Sequence, residues 1–322
     1  MRQTRIPLFV IAIALSMALA CSRTDKADSS AGSKPSEASA IKTAPNGVKL
    51  VSAGRSPFSQ PRFKFEVGQT QDAELTNQLK VRTTLGIQPM PESVSPPVTY
   101  HVRLEAKDVS PEGTAKLHFQ VIDAKVQAVQ AIAPEAQQQM QRAAAGLVGL
   151  SGSYSADNLG RIQDFKFTES PQLQAAEPGM LQNLERLIDT ILIPLPEQKI
   201  GMGAKWTYAS SFDEQGAKVR QASTYEITEI GDDKLHARFT TDRHADKQKV
   251  PVPGGTAEQT YELLSLESSG SGRSETMLYA LVPNLSTMST KATMKLLLPG
   301  QEGEAAQSMQ LEMLTQSSVR AK

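Results

Sequence analysis

The sequence predicts an α+β fold: a curved antiparallel sheet, divided into two related halves, with one or two helices packed on it. Three observations predict it. From Val48 to the end, apolar and polar residues alternate with a period of two over many segments, the pattern of strands buried on one face. Two intervening stretches switch to helical spacing. Short matches then recur in the same order in the first and second halves of the chain.

The chain begins with Arg2 and Arg5, followed by a mostly apolar stretch from Pro7 to Leu19 that Ser16 interrupts. Ala18-Leu19-Ala20 places small residues directly before Cys21, the only cysteine. A positive start, a short apolar run and a small-residue exit are the layout of a secretory signal peptide. The run falls short of the about 20 apolar residues an ordinary spanning helix needs. Residues 1–20 are therefore assigned to the signal. Residues 21–47, rich in Ser, Ala, Lys, Asp and Pro with Ile41 as the lone large aliphatic, bury too little apolar surface to order themselves and form a tether. Residues 48–322 form the body.

Within the body, Tyr100, Val102, Leu104 and Ala106 share one face, and Ala115, Leu117, Phe119 and Val121 another. Ser110-Pro111-Glu112-Gly113 between them has turn composition. A turn centred on Pro111-Glu112 pairs Ala106 with Leu117 and Leu104 with Phe119, so both apolar faces coincide. A second hairpin, Tyr225 to Phe239, turns at Gly231-Asp232-Asp233 and sets Ile227 against Ala237 and Tyr225 against Phe239. Met288 to Leu296 and Met309 to Met313 alternate in the same way and are expected to pair, with the chain turning over Pro299 to Gly303.

Two helices are predicted. The first runs from Pro134 to about Val148, with Ala136, Met140, Ala143 and Leu147 on one side. The second, Pro178 to about Ile193, carries a broad stripe of Met180, Leu181, Leu184, Leu187, Ile188, Ile191 and Leu192. Its opposite face, Gln182, Asn183, Glu185, Arg186 and Asp189, is expected to be solvated. Pro194 and Pro196 end it.

The repeated order is Gly68, Lys80-Val81-Arg82, Thr99-Tyr100 and Lys116-Leu117-His118, then Gly203, Lys218-Val219-Arg220, Thr224-Tyr225 and Lys234-Leu235-His236. It divides the body into halves 48–170 and 200–322 joined by helix 178–193. Coincidence among similar hairpins is the competing reading.

Lys+Arg and Asp+Glu each number 34, and removing residues 1–20 takes only Arg2 and Arg5, leaving a net charge of −2 from 32 against 34. No basic excess exists to displace counterions from a nucleic acid, so nucleic acid is excluded as a partner. Aromatics are 5% of the chain, low for a carbohydrate-stacking surface.

Candidate chemistry is sparse. His101, His118 and His236 fall on the polar faces of predicted strands, and no metal-ligand spacing links them or His244. Gly149-Leu150-Ser151-Gly152-Ser153 misplaces the second glycine of a nucleophile elbow. Ser268 to Gly272 lacks the Lys-Ser/Thr ending of a phosphate loop. Both are read as turns. Glu185 and Asp189, one helical turn apart, would suit acid–base work only if they faced a cleft. Met288, Met294, Met309 and Met313, able to hold a soft metal or line a greasy groove, alternate at strand spacing and are read as core. No catalytic residue, metal ligand or cofactor is assigned.

The segment Ala18-Leu19-Ala20-Cys21 resembles the lipobox of bacterial lipoproteins, whose cysteine thiol takes a diacylglycerol and whose signal is cut before it; Ala18 stands where that family usually has Leu. The resemblance implies lipidation of Cys21 and anchoring to a membrane through the N-terminal lipid. Ser22 follows, where Asp commonly signals inner-membrane retention in Gram-negative lipoproteins. In such a host the expectation is outer-membrane residence facing the periplasm. Pro194-Leu195-Pro196 with Ile200-Gly201-Met202-Gly203-Ala204-Lys205-Trp206 resembles a Pro-Leu-Pro…Val-Gly-x-Gly-x-x-Trp junction of β-rich bacterial lipoproteins with no assigned activity. The glycines permit a tight reversal, and Trp206 is expected to anchor the next strand in the core.

The expected function is that of a lipid-anchored, non-enzymatic envelope protein that acts as a scaffold or binds a partner. The alternative is a carrier of lipid or another apolar ligand, similar in architecture to lipoprotein-sorting proteins, which cover a half-barrel with helices. A hydrolase of unrecognised type is the second alternative. A hollow interior favours the carrier, a filled one the scaffold.

Overall fold

The computed structural model describes residues 47–130, 132–214, 216–252, 259–299 and 306–322. The signal, Cys21, the tether up to Asn46 and most of the Pro299–Gly303 turn lie outside the described residues, while Gly47, assigned to the tether, begins the first strand.

The strands are β1 (Gly47–Ser52), β2 (Arg55–Ser59), β3 (Thr70–Leu85), β4 (Gln88–Pro89), β5 (Ser93–Val94), β6 (Val98–Val109), β7 (Ala115–Val126), β8 (Ser151–Ala156), β9 (Ile162–Phe167), β10 (Ile200–Met202), β11 (Lys205–Glu214), β12 (Ala217–Ile230), β13 (Lys234–Ala245), β14 (Gln248–Pro251), β15 (Thr260–Met277), β16 (Leu285–Leu298) and β17 (Gln307–Ala321). The helices among the described residues are α1 (Pro134–Ala145), α2 (Pro171–Ala175) and α3 (Pro178–Asp189). One antiparallel sheet runs β1-β11-β12-β13-β15-β16-β17-β3-β6-β7-β8-β9, and β2 pairs separately with β10.

This corrects the predicted fold class. The fold is β-rich, not a balanced α+β: the longest helices have 12 residues, whereas β15 alone has 18. The Gly/Ser stretch misled the reading. Ser268 to Gly272 is the middle of β15, and Ser151-Gly152-Ser153 belongs to β8; neither is a turn. Glycine in a strand interior marks a close approach of neighbouring groups. A Cβ at Gly272 would strike the Phe239 ring, and one at Gly152 the Phe119 ring.

The hairpin registers agree with the alternation. Leu104 pairs with Phe119 and Ala106 with Leu117; Tyr225 pairs with Phe239 and Ile227 with Ala237. Met294 pairs with Leu311 and Leu296 with Met309. In each case a one-residue slip would turn the whole apolar row outward.

Two hydrophobic cores form on the inner face. The first joins β6–β8 to α3 through Leu104, Phe119, Leu184 and Ile188. The second gathers Leu79, Val219, Leu263, Met294, Leu311 and Met313 from five strands, without any helix. Those strands share one face, so the sheet curls far enough for that face to pack against itself. The outer face is polar and carries exposed ion pairs such as Arg103–Asp72 at 2.7 Å and Arg238–Glu226 at 2.8 Å. A membrane-spanning barrel would show an apolar band there.

Helix α3 buries the predicted stripe: Leu184, Leu187 and Ile188 are buried, and Met180 and Leu181 half-buried. Helix α1 turns slightly from its predicted face, burying Ala144 while Ala136 and Ala143 are exposed. Its Gln141 side chain accepts from Val126 N–H at 2.8 Å and donates to Ala124 C=O at 3.0 Å, completing the end of β7 that β8 does not reach. Trp206 is fully buried. Its indole N–H donates to Pro194 C=O at 2.7 Å, tying the junction after α3 to β11.

Because Leu184 is completely buried in the first core, Leu184→Ala should cost about 2–5 kcal/mol. Urea unfolding monitored by circular dichroism checks this; a change below 1 kcal/mol would show that α3 is not held by this stripe.

Candidate functional site: a polar cleft under helix α3

The inward-facing rows of the central strands are apolar at both ends and polar between. On β12 the row is Val219, then Gln221 and Ser223, then Tyr225 and Ile227. On β13 it is Leu235, Ala237 and Phe239, then Thr241 and Arg243, then Ala245; on β17, Met313, then Thr315 and Ser317, then Val319. Strand register joins these breaks into one band: Tyr208↔Ser223↔Thr241↔Gly270↔Thr290↔Thr315. Beside it runs an aromatic row. Trp206 stacks on Tyr225 at 5.4 Å, Tyr225 meets Phe239 at 5.5 Å, and the Phe239 ring lies over Gly272.

Over this floor lies a cleft of about 370 Å³. Its opposite wall is the polar face of α3, including Gln182, Asn183, Glu185, Arg186 and Asp189. The predicted solvated face of this helix is thus corrected: it faces a walled cleft. The volume falls within the range of small-molecule sites.

One end of the cleft is closed by a charge network. Glu214 on β11 accepts from Arg243 at 2.6 Å and from Arg186 of α3 at 2.9 Å. Both guanidinium groups also lie over the Phe212 ring, each 5.0 Å from its centroid. Arg243 is only 5% exposed along its side chain and also lines a smaller chamber of about 40 Å³ in the second core. The buried hydroxyls of Ser268 and Thr290 face that chamber and have no hydrogen-bond partner among the described residues.

Glu185 and Asp189 are both held in the cleft wall. Burial pushes the Asp189 carboxyl up to about 6, helped by the charge of Glu185 and opposed by Arg186. Its surface is wetted, yet the cleft walls surround it and weaken its hydration. Burial likewise raises the Glu185 carboxyl. The pair is unfavourable for the helix itself: like charges four residues apart repel, and Asp189 puts a negative charge at the C-terminal end.

The remaining sequence candidates lie elsewhere. His101, His118, His236 and His244 occupy the outward-facing rows of β6, β7 and β13. His236 contacts Glu229 at 2.9 Å and His244 contacts Asp246 at 2.9 Å. No group of three or more metal-ligating side chains occurs among the described residues. Met294, Met309 and Met313 are core, as read from the sequence, but Met288 lines the cleft. The residues missed were Phe212, Glu214, Arg243 and the Ser/Thr band. Their signal was present as the polar break repeated at matching depth in each apolar row.

No protein-family model matches the chain, and no curated protein matches it. Among solved structures, the crystal structure of Ail, the attachment invasion locus protein of Yersinia pestis, aligns over 77% of this chain and 98% of that chain, at 8% identity and a TM-score of 0.16. A likeness this weak carries nothing about fold or function.

Two outcomes follow from the site. Glu214→Ala removes the carboxylate shared by two cations and should cost about 3 kcal/mol in urea unfolding; a neutral result would mean the network is not desolvated. Asp189 has the opposite sign. Its folded carboxyl binds a proton more tightly than in the unfolded chain, so its contribution favours folding below about pH 4 and is lost as pH rises through about 6. Asp189→Asn should therefore stabilise the protein at pH 7.5 by up to about 1 kcal/mol after screening by water. The gain should vanish by pH 4, and a gain that is flat with pH would contradict the raised carboxyl.

Proposed function

We propose that the protein is a lipid-anchored, non-enzymatic envelope protein that binds a small amphipathic molecule in the cleft between α3 and the sheet. The single observation that carries this reading is the continuous polar band under the polar face of α3, placed between two apolar cores. Cores exclude polar residues unless these are paired or wet, so a band of this extent is explained by an occupant that offers both polar groups and apolar surface. The aromatic row supplies the apolar side, and the hydroxyls and amides supply hydrogen bonds. The interior is filled at both ends and hollow between, which favours the binder over the scaffold.

The anchor rests on the sequence: Arg2, Arg5, the apolar run and Cys21. With Ser22 after the cysteine, residence is proposed at the periplasmic face of the outer membrane where the host has two membranes. A protein held there by its N-terminal lipid reaches ligands near the membrane while its polar outer face stays in water.

Filling the cleft tests the reading. Gln182→Trp and Ser210→Trp place bulk on opposite walls at half-buried positions. Each should abolish binding of an amphipathic fluorescent probe while leaving the thermal melt within a few degrees of wild type. Unchanged probe affinity in both would refute the cleft as the binding site. Cys21→Ser should release the protein from the membrane fraction, and unaltered fractionation would refute the anchor.

A further inference from the structure

We infer that the small chamber in the second core seats the end group of the ligand, and that this group is an uncharged hydroxyl whose apolar chain runs back along the cleft to Phe239 and Tyr225. This rests on the cleft being the binding site and names the class of molecule it takes, an alcohol-ended amphiphile.

Chamber and cleft are consecutive stretches of the same inward rows. On β12, Val219 lines the chamber and Gln221, the next inward residue, lines the cleft. The same step leads from Thr290 to Met288 on β16 and from Thr315 to Ser317 on β17, and on β13 Arg243 lines both spaces. From Arg243 to Phe239 is four residues of strand, about 13 Å. The polar band continues through this junction: Thr241 at the cleft is joined through Gly270 to Thr290 at the chamber. Gly270 sets no side chain between them. A Cβ there would press on the Thr290 hydroxyl and the Thr241 methyl.

The chamber offers hydrogen bonds that the protein does not use. Ser268 and Thr290 are 9% and 2% exposed, and neither hydroxyl has a hydrogen-bond partner among the described residues. Hydroxyls buried this deeply are costly unless paired. Both face the same small space. A guest hydroxyl donates one bond and accepts others, which matches two groups that each donate and accept.

Size and charge narrow the guest further. The chamber volume of about 40 Å³ holds about three water-sized groups at about 10–15 Å³ each, which suits the last atoms of a chain and not a bulky head. Most of its wall is apolar, with Val219, Tyr261, Leu263 and Met294 among the lining residues. Its two charged residues, Arg243 and Glu214, are paired to each other at 2.6 Å, and Glu214 also holds Arg186 from the cleft side. A charged end group would lose its water among apolar walls and meet a cation and an anion together.

The test uses the mature protein and three probes of similar length: octan-1-ol, its isomer heptyl methyl ether, which has no hydroxyl, and octanoate, whose end is charged. Isothermal titration calorimetry at pH 7.5 should give at least tenfold tighter binding of the alcohol than of either other probe. Ser268→Ala and Thr290→Val should each cut the preference over the ether, and the two together should remove it while ether affinity stays unchanged. Thr290→Ser, which keeps the hydroxyl, should retain the preference, and thermal melts confirm that every variant folds. Binding of the ether or of octanoate as tight as that of the alcohol, or tighter, would overturn the uncharged hydroxyl and leave the cleft as a binding site. A preference for the alcohol that persists in the double variant would overturn the chamber as its seat. Binding of none of the three probes would overturn the cleft reading itself.

Discussion

Everything in this fold answers to one mismatch: the sheet is far wider than the helix that covers it. Twelve strands in a row, spaced about 4.8 Å apart, extend over roughly 55 Å. Helix α3, with 12 residues, is about 18 Å long. A helix of that size cannot shield the whole inner face from water. The chain resolves the mismatch in two ways. Towards one end of the strands α3, β6–β8 and the β11–β13 residues Trp206, Ile227 and Leu235 make a helix-on-sheet core, and towards the other end the long strands curl until their own inner face packs on itself. Between the two, neither device reaches, and there the inward rows switch to Ser, Thr, Asn and Gly.

The elements at the boundary of the two regimes are held most firmly. Trp206 is pinned by its hydrogen bond to Pro194 and stacked on Tyr225, so the exit from α3 and the start of β11 move together. At the far side, Arg186 of the helix and Arg243 of the sheet meet on Glu214 around Phe212. The helix is thus fixed to the sheet through an apolar contact on one flank and a charged one on the other, and the cleft is the space left between them. Buried ion pairs are weak sources of net stability because desolvation offsets attraction. Their value in this position is geometric: the network sets where the polar face of α3 stands relative to the floor.

Much of this was legible in the sequence, and the rest was hidden for identifiable reasons. Period-two alternation located the hairpins to the residue, because register is set by which face is apolar and a slip of one would expose it. The helical stripe of α3 was equally clear. Strand length was not. Ser268 to Gly272 has the composition of a turn, yet it runs through the centre of β15, where small side chains make room for Phe239 and Thr290. Reading that stretch as a turn left β15 out of the expected sheet, and the two predicted helices then weighed enough to suggest the α+β class that the structure corrects. The cleft was hidden for a related reason. A helix face of Gln, Asn, Glu, Arg and Asp looks the same in sequence whether it meets bulk water or a water-filled cavity, and only the breaks in five separate inward rows, read together, distinguish the two.

The acidic pair on α3 is where local stability and site chemistry part company. Like charges one turn apart repel, and a carboxylate at the end of a helix opposes its dipole. The cleft walls add a desolvation cost that raises both carboxyls. Surface positions on a helix accept Lys, Gln or Ala with better intrinsic propensity than Asp, so nothing in the folding of α3 calls for Asp189. Sequences are consistent across levels except where a site requires otherwise. The fold would be served as well by a neutral wall at this point. A wall that instead sets two carboxylates between an aromatic row and a band of hydroxyls goes beyond what the folding of α3 calls for, and the same geometry that the sheet leaves open is what weakens their hydration.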